Sequence, residues 1–86
     1  MKIDSKEVDS NLRWRLADHV KRLRTTKGIS QEVLSAECGF HRTYISQVER
    51  AATNITIDNL QRLAAGLGVD PAELLGQWGE VHSPGA

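Results

Sequence analysis

Cysteine, aromatic residues and long apolar runs are all scarce in this chain of 86 residues. Its one cysteine, Cys38, excludes an intramolecular disulfide, and a single thiol cannot build a structural zinc site. No apolar run exceeds three residues, which excludes a membrane-spanning segment. Residues 1–7 are charged and lack the apolar core of a secretory signal, so we expect a cytoplasmic protein with no membrane partner.

Net charge is also absent, but the charges are unevenly distributed. Eleven Lys and Arg residues balance eleven Asp and Glu residues, which by itself argues against a nucleic-acid-binding protein. Residues 1–50, however, carry ten basic and seven acidic residues, a net charge of +3, whereas residues 51–86 carry a net charge of −3. A molecule with one basic half can present that half to phosphate.

The residue patterns of common catalytic and metal sites are missing. The three histidines show no metal-ligand spacing, and no Ser/His/Asp set, glycine-rich phosphate loop or paired carboxylate motif stands out. We therefore predict that the chain is not an enzyme and that it holds no metal and no cofactor.

What the sequence does contain is helical periodicity. Apolar residues recur every three or four positions, as in Leu12, Leu16 and Val20, and no segment alternates as a strand does. Capping residues and glycines divide the pattern into five helices, at about residues 10–27, 31–38, 41–51, 57–67 and 71–75. The predicted fold class is therefore all-α, with Val33, Ala36 and Ile57 on buried helix faces.

The second and third predicted helices are short and are joined at Gly39, as in a helix-turn-helix motif. Glycine adopts the sharp left-handed backbone of such a turn without steric cost. In DNA-binding proteins the second helix of this motif lies in the major groove. We accordingly divide the chain into an N-terminal extension (residues 1–9), a DNA-binding domain (10–76) and a C-terminal tail (77–86).

Four stretches of sequence resemble the Cro/C1-type (XRE) family of phage-repressor-like DNA-binding domains. They are GISQEVL (residues 28–34), CGFHRTYISQVER (38–50), LQRLA (60–64) and LGV (67–69). Within the family, residues 42–50 look most like the small controller proteins of restriction–modification systems. The resemblance implies a compact five-helix domain and a transcription regulator. The chain departs from the family at Ala51, where glycine is usual, so either the third helix continues further or Asn54 adopts the turn conformation.

Position on the third helix assigns the candidate base-reading residues. Ile45 and Val48 are three residues apart and face inward, so the opposite side carries Arg42, Thr43, Ser46 and Gln47. An arginine can donate two parallel hydrogen bonds to guanine, and a glutamine can reach adenine or guanine edges. The resemblance implies the same four positions. The alternative for Arg42 is a contact to phosphate alone.

Groups beside the groove are the candidate phosphate ligands: Gln31, Tyr44, Arg50 and Asn54. Gln31 resembles the family's backbone-anchoring glutamine, and it lies at a helix N-terminus, which favours an anion. For Tyr44 the alternative is a core aromatic with its hydroxyl at the edge. The resemblance further implies a structural salt bridge between Arg24 of the first helix and Glu49 of the third.

Residues near the acidic C-terminal end are the candidate dimer interface: Val69, Leu74, Leu75 and Trp78. The fifth predicted helix, at about residues 71–75, is too short to bury all of these side chains in its own domain. Exposed apolar clusters usually mark contacts with another molecule. The predicted function is that of a homodimeric transcription regulator on an inverted-repeat operator in double-stranded DNA, with RNA polymerase as a further candidate partner. The alternative is a protein-interaction module, such as an antitoxin-like or adaptor subunit.

Overall fold

The computed structural model describes residues 5–76, which form five helices and no strand. The helices are α1 (Ser5–Lys27), α2 (Gln31–Cys38), α3 (Tyr44–Glu49), α4 (Ile57–Leu67) and α5 (Pro71–Leu75). The predicted all-α fold class is thus confirmed. Within residues 5–76, no helix combines the length and the hydrophobicity that crossing a membrane requires.

Side-chain caps begin three of the helices where the sequence predicted. Ser30, Thr56 and Asp70 each accept a hydrogen bond from a backbone N–H in the first turn of α2, α4 and α5. Because these N–H groups have no partner inside the helix, each cap stabilises the helix by about 1 kcal/mol. Gly39 and Gly68 then end α2 and α4 in the left-handed conformation.

Two helix starts differ from the prediction. α1 begins at Ser5, well before the expected start near residue 10. α3 begins at Tyr44 and not near His41. The later start of α3 has a local reason. The backbone N–H of Thr43 donates to Nδ1 of His41 (3.3 Å), and the Thr43 hydroxyl lies 3.0 Å from the same nitrogen. Such side-chain bonds compete with helix formation.

The chain leaves α3 through Ala51, whose φ is +57°. Neither predicted alternative holds, because α3 ends at Glu49 and Ala51, not Asn54, adopts the left-handed conformation. The Ala51 N–H bonds to the carbonyl of Val48 (3.0 Å), which closes the turn. An alanine here carries backbone strain that a glycine would avoid.

One core joins all five helices. α1 packs against α3 and α5, while α4 packs against α2 and α5. The most deeply buried large side chains are Val20, Leu34, Ile45, Leu63 and Leu74. α3 therefore rests on a continuous apolar base, which fixes its position on the molecule.

Three apolar residues predicted inside are exposed instead. Ile57 is 76% exposed and Val33 is 44% exposed, and Ala36 is exposed as well. The buried face of α2 is defined by Leu34 and Cys38, and both Val33 and Ala36 lie on the other side of that helix. Ile57 is the first residue of α4 and extends beyond the packed part of the helix.

Candidate nucleic-acid interface

α2 and α3 form a helix-turn-helix around Gly39. The backbone N–H of Phe40 donates to the carbonyl of Ser35 (2.8 Å), which folds the chain back after α2. The hydroxyl of Ser35, fully buried, accepts a hydrogen bond from the backbone N–H of Ile45 (3.3 Å). Ser35 therefore ties the first turn of α3 to the middle of α2.

The outer surface of α3 and of the turn before it is polar. All four candidate base-reading residues lie there, with Arg42, Thr43 and Gln47 exposed and Ser46 half-buried. Ile45 and Val48 are buried on the opposite side. Guanidinium and carboxamide groups offer paired hydrogen-bonding atoms that match base edges in the major groove. No apolar anchor of the kind that a protein-binding helix presents lies on this surface.

Arg24 and Glu49 form an ion pair between α1 and the end of α3. Nε of Arg24 lies 2.6 Å from Oε2 of Glu49, and Nη2 of Arg24 lies 3.1 Å from Oε1. The pair is largely buried, with 13% of the Arg24 side chain and 3% of the Glu49 side chain exposed. Hydrogen bonding to Glu49 raises the pKa of the Arg24 guanidinium above its ordinary value, although burial opposes the shift.

Gln31 extends this ion pair toward the start of α2. Its Nε2 donates to Oε1 of Glu49 (2.9 Å). An amide nitrogen has two hydrogens, so one N–H of Gln31 remains for an external acceptor such as phosphate. Glu49 thus orients both Gln31, the candidate phosphate ligand, and α3. This structural role explains why an acidic residue lies near a surface that would contact DNA.

Asn54 and Arg50 lie exposed after α3, as candidate phosphate ligands should. Arg13 of α1 donates a hydrogen bond to Oδ1 of Asn54, which leaves the Asn54 N–H groups for another acceptor. Arg50 forms no ion pair with the side chains of residues 12–76. No local sequence pattern points to Arg13, because it lies 41 positions from Asn54 in the chain.

Tyr44 combines the two predicted alternatives, an aromatic ring at the core and a hydroxyl available at the surface. Its ring is half-buried and packs against Phe40, with the ring centroids 4.4 Å apart. Its hydroxyl oxygen accepts a hydrogen bond from Nδ2 of Asn59 (3.3 Å), so the O–H can still donate to an external acceptor. Tyr44 therefore packs as an aromatic of the core edge and keeps a polar group at the surface.

Arg62 of α4 reaches the turn of the motif, a contact that was not among the predictions. Its Nε donates to the carbonyl of Cys38 (3.2 Å) and its Nη2 to the carbonyl of Gly39 (2.6 Å). Its guanidinium carbon lies 4.5 Å from the centre of the Phe40 ring. The motif LQRLA did contain this residue, but its position in the sequence gives no sign of the turn that it touches.

The predicted dimer residues divide into three groups. Leu74 is fully buried in the core of its own chain, so its side chain is not available to a partner and it must be removed from the interface. Val69 and Leu75 are half-buried and pack against the core. Trp78 lies outside the described residues.

An apolar groove of about 380 Å³ opens beside Leu75. It is lined by α1, by the end of α3 and the connection that follows it, by the start of α4 and by the end of α5: Leu12, Arg13, Leu16, Val48, Ala51, Thr53, Asn54, Ile55, Thr56, Ile57, Leu60 and Leu75. None of the four candidate base-reading residues lines it. The groove is therefore separate from the base-reading residues, although Val48 of α3 and the candidate phosphate ligand Asn54 lie along it.

No metal centre is apparent in the described part of the chain. Residues 12–76, whose side chains the structure describes, contain no group of three or more His, Cys, Asp or Glu side chains that could hold an ion. Cys38 is a free, buried thiol, and burial raises its pKa. A buried thiol of raised pKa is mostly protonated and poorly nucleophilic at neutral pH.

Comparison with known proteins agrees with this geometry. Residues 20–74 match the helix-turn-helix family model HTH_3. Control protein C.BamHI from Bacillus amyloliquefaciens is 42% identical over 69 residues, which cover 79% of this chain and 85% of that protein. Among solved structures, the hypothetical transcription factor NHTF from Neisseria is similar with a TM-score of 0.79 at 43% identity, over 84% of this chain and 83% of that chain.

A second solved structure is that of the restriction–modification controller protein C.AhdI from Aeromonas hydrophila. It is similar with a TM-score of 0.69 at 37% identity, over 72% of this chain and 90% of that chain. Both solved structures are thus similar in fold to this chain over most of its length. The chain belongs to the XRE-type helix-turn-helix family, and it is a DNA-binding transcription regulator and not an enzyme.

Proposed function

We propose that this protein is a controller-type regulator that reads a specific DNA sequence through α3 and occupies its operator as a homodimer. The observation that carries the proposal is the polar outer surface at α3, where Arg42, Thr43 and Gln47 are exposed. Similarity to C.BamHI and C.AhdI, both named as controller proteins, supports the controller type. The site of action is the cytoplasm.

Base readout and phosphate contact fall to different residues in this proposal. Arg42, Thr43, Ser46 and Gln47 meet base edges, because they share the outer surface of the recognition helix and of the turn before it. Gln31, Tyr44, Arg50 and Asn54 contact the flanking phosphates. Three of these four side chains still have an N–H or O–H available after their internal hydrogen bonds are counted. The fourth, Arg50, makes no side-chain hydrogen bond to residues 12–76 that would have to break first.

A homodimer follows from the size of the recognition element. α3 has six residues and covers only a few base pairs, which is too few for strong specificity. A two-fold dimer doubles the site and requires an inverted-repeat operator with half-sites about 10–10.5 bp apart, or a multiple. The groove beside Leu75, rimmed by the exposed Ile57, is the surface that we assign to the second copy.

Occupation of the operator would block or recruit RNA polymerase. The rival function, a protein-interaction module of the antitoxin or adaptor kind, needs apolar or aromatic anchors on its binding helix. The exposed positions at α3 are arginine, threonine and glutamine, so the surface favours DNA.

Replacement of Arg42 tests the assignment of base readout. An operator selected from random duplexes provides the specific ligand, and a scrambled duplex provides the control ligand. Arg42→Ala should weaken operator binding by about 1–3 kcal/mol and relax the preference at one base position per half-site. Affinities are measured by fluorescence anisotropy at several salt concentrations.

Arg50→Ala is the matched control, because it removes the same charge from a candidate phosphate contact. It should weaken both duplexes alike and reduce the slope of log K against log salt by about 1. If Arg42→Ala weakened the operator and the scrambled duplex equally, Arg42 would be a phosphate contact and the assignment would be wrong.

A further inference from the structure

Arg62 closes the turn of the helix-turn-helix from outside the motif. The last carbonyl groups of a helix have no partner within it and carry partial negative charge. Arg62 donates to two such carbonyls, those of Cys38 and Gly39, at 3.2 and 2.6 Å. The same guanidinium covers the face of Phe40 at 4.5 Å. One side chain of α4 thus holds three consecutive residues where α2 ends.

Gly39 and Arg62 are matched to each other in shape. A Cβ atom added to Gly39 would lie 2.8 Å from Nη2 of Arg62, closer than real Cβ contacts allow. The guanidinium therefore occupies the space that the glycine leaves open. Glycine is favoured at position 39 by its φ of +78°, and a Cβ there would also displace the end of the Arg62 side chain.

Asn59, one turn before Arg62 on α4, continues the contact to the other side of the turn. Its Oδ1 accepts a hydrogen bond from Nη1 of Arg62 (3.3 Å), and its Nδ2 donates to the hydroxyl of Tyr44 (3.3 Å). Tyr44 is the first residue of α3, and its ring packs on Phe40. A continuous set of bonds from α4 thus reaches both the end of α2 and the start of α3.

We propose that Arg62 and Asn59 are positioning residues that set the orientation of α3 against α2 and thereby determine how well α3 reads DNA. This inference rests on the proposed function, because it assumes that α3 is the reading element. The fork of a guanidinium suits the role, since it presents several donors in one fixed plane. A lysine at the same position would keep the charge but could not hold two carbonyls and Asn59 together.

A direct contact between Arg62 and phosphate is the competing role, because part of the side chain is exposed. The two roles differ in their salt dependence. Loss of a phosphate contact weakens every duplex and reduces the salt slope, whereas loss of a positioning residue weakens the operator selectively. A substitution that keeps the positive charge separates them further.

The experiment compares Arg62→Lys and Asn59→Ala with Gln61→Ala, an exposed neighbour on α4 outside the bonded set. We expect both test variants to bind the selected operator about tenfold more weakly, the size of one lost base contact, with scrambled-duplex affinity and salt slope unchanged. Gln61→Ala should match the wild type on both duplexes.

Amide hydrogen exchange without DNA supplies the second readout, which does not depend on the proposed function. In the two test variants the N–H groups of Phe40 and Tyr44 should exchange about tenfold faster, while that of Leu63 in the middle of α4 stays protected. Faster exchange at the turn without a selective loss of operator affinity would contradict the proposal that α3 reads the DNA sequence. It would still support the inference that Arg62 and Asn59 hold the turn in place. Wild-type exchange at the turn in both variants, or a parallel loss on both duplexes with a smaller salt slope for Arg62→Lys, would overturn the inference itself.

Discussion

At the scale of single residues, Ala51 is the one non-glycine residue of residues 5–76 that has a positive φ. Its φ of +57° lies where side chains bearing a Cβ cost about 1–2 kcal/mol. Ala51→Gly should therefore raise the free energy of unfolding, by about 0.5–1 kcal/mol after the greater flexibility of glycine in the unfolded chain is deducted. Urea unfolding followed by circular dichroism measures the change.

The neighbouring Ala52 provides the matched control, because its φ is not positive. Ala52→Gly gains no relief of strain and should lower the stability by about 0.4–1 kcal/mol. The two substitutions have the same chemistry and opposite expected signs. A loss of stability in both would show that the turn at Ala51 carries no strain.

Cys38 is the residue whose ionisation should couple to folding. Its pKa is raised chiefly by burial and further by Glu37, and Arg62 opposes the shift. The folded chain therefore holds the thiol proton more tightly than the unfolded chain does. The resulting stability is complete below the unfolded pKa and is lost as the pH rises through the folded value.

As the pH rises above about 8.5, the ordinary pKa of a thiol, the free energy of unfolding should thus fall more steeply in the wild type than in Cys38→Ala. The variant removes only the thiol, so all other titrating groups cancel in the comparison. Parallel slopes would mean that the thiol ionises equally easily in the folded and unfolded chains.

Residue roles that depend on helix position could be predicted from the sequence, and roles that depend on tertiary contact could not. Arg42 and Gln47 follow from a helical spacing opposite Ile45 and Val48. Arg62 acts on a turn 23 positions away in the chain, so its neighbours in the sequence say nothing about it. The strain at Ala51 also escaped prediction, because the sequence shows a missing glycine but not how the backbone responds.

At the scale of helices, the ion pair of Arg24 and Glu49 is the main polar link between α1 and α3. Its side chains are 13% and 3% exposed, so removal of one partner leaves a largely buried charge. Arg24→Ala and Glu49→Ala should each cost about 3–5 kcal/mol. The double variant should lose less than the sum, by a coupling energy of about 0.5–3 kcal/mol.

A double-mutant cycle from urea unfolding tests this coupling, and Lys21→Ala on the exposed side of α1 is the control, with an effect within about 0.5 kcal/mol. Each partner also has one bond outside the pair, from Gln31 to Glu49 and from Arg24 to the carbonyl of Ile29, so the two single losses should be similar. Additive losses would mean that the two side chains do not stabilise each other.

Helix ends were predictable where a side chain or a glycine marks them. Ser30, Thr56 and Asp70 begin their helices as expected because each cap is a bond between near neighbours. The start of α3 was misplaced because His41 and Thr43 bond to each other, which is equally local but has no common sequence pattern.

At the scale of the whole molecule, the uneven charge of the sequence separates two surfaces. Residues 1–50, with a net charge of +3, include α1, α2 and α3, and therefore the polar surface at Arg42 and Gln47. Residues 51–86, with a net charge of −3, include α4 and α5. The acidic half would repel DNA, so it orients the molecule with α3 toward the duplex.

The groove beside Leu75 should be the contact between two copies. Ile57 is 76% exposed at its rim, and burial of such a side chain at an interface removes an apolar surface that a lone copy leaves in water. Ile57→Glu should therefore give a monomer without loss of monomer stability, and Leu75→Glu should act in the same direction with some loss, because Leu75 also packs on the core.

Val33→Glu, which places the same charge on an exposed apolar residue of α2 away from the groove, should leave the dimer intact. Sedimentation velocity at micromolar concentration distinguishes the species, and operator binding should change from one step to two in the monomeric variants. A wild type that sediments as a folded monomer, alone and on its operator, would refute both the dimer and the assignment of this groove.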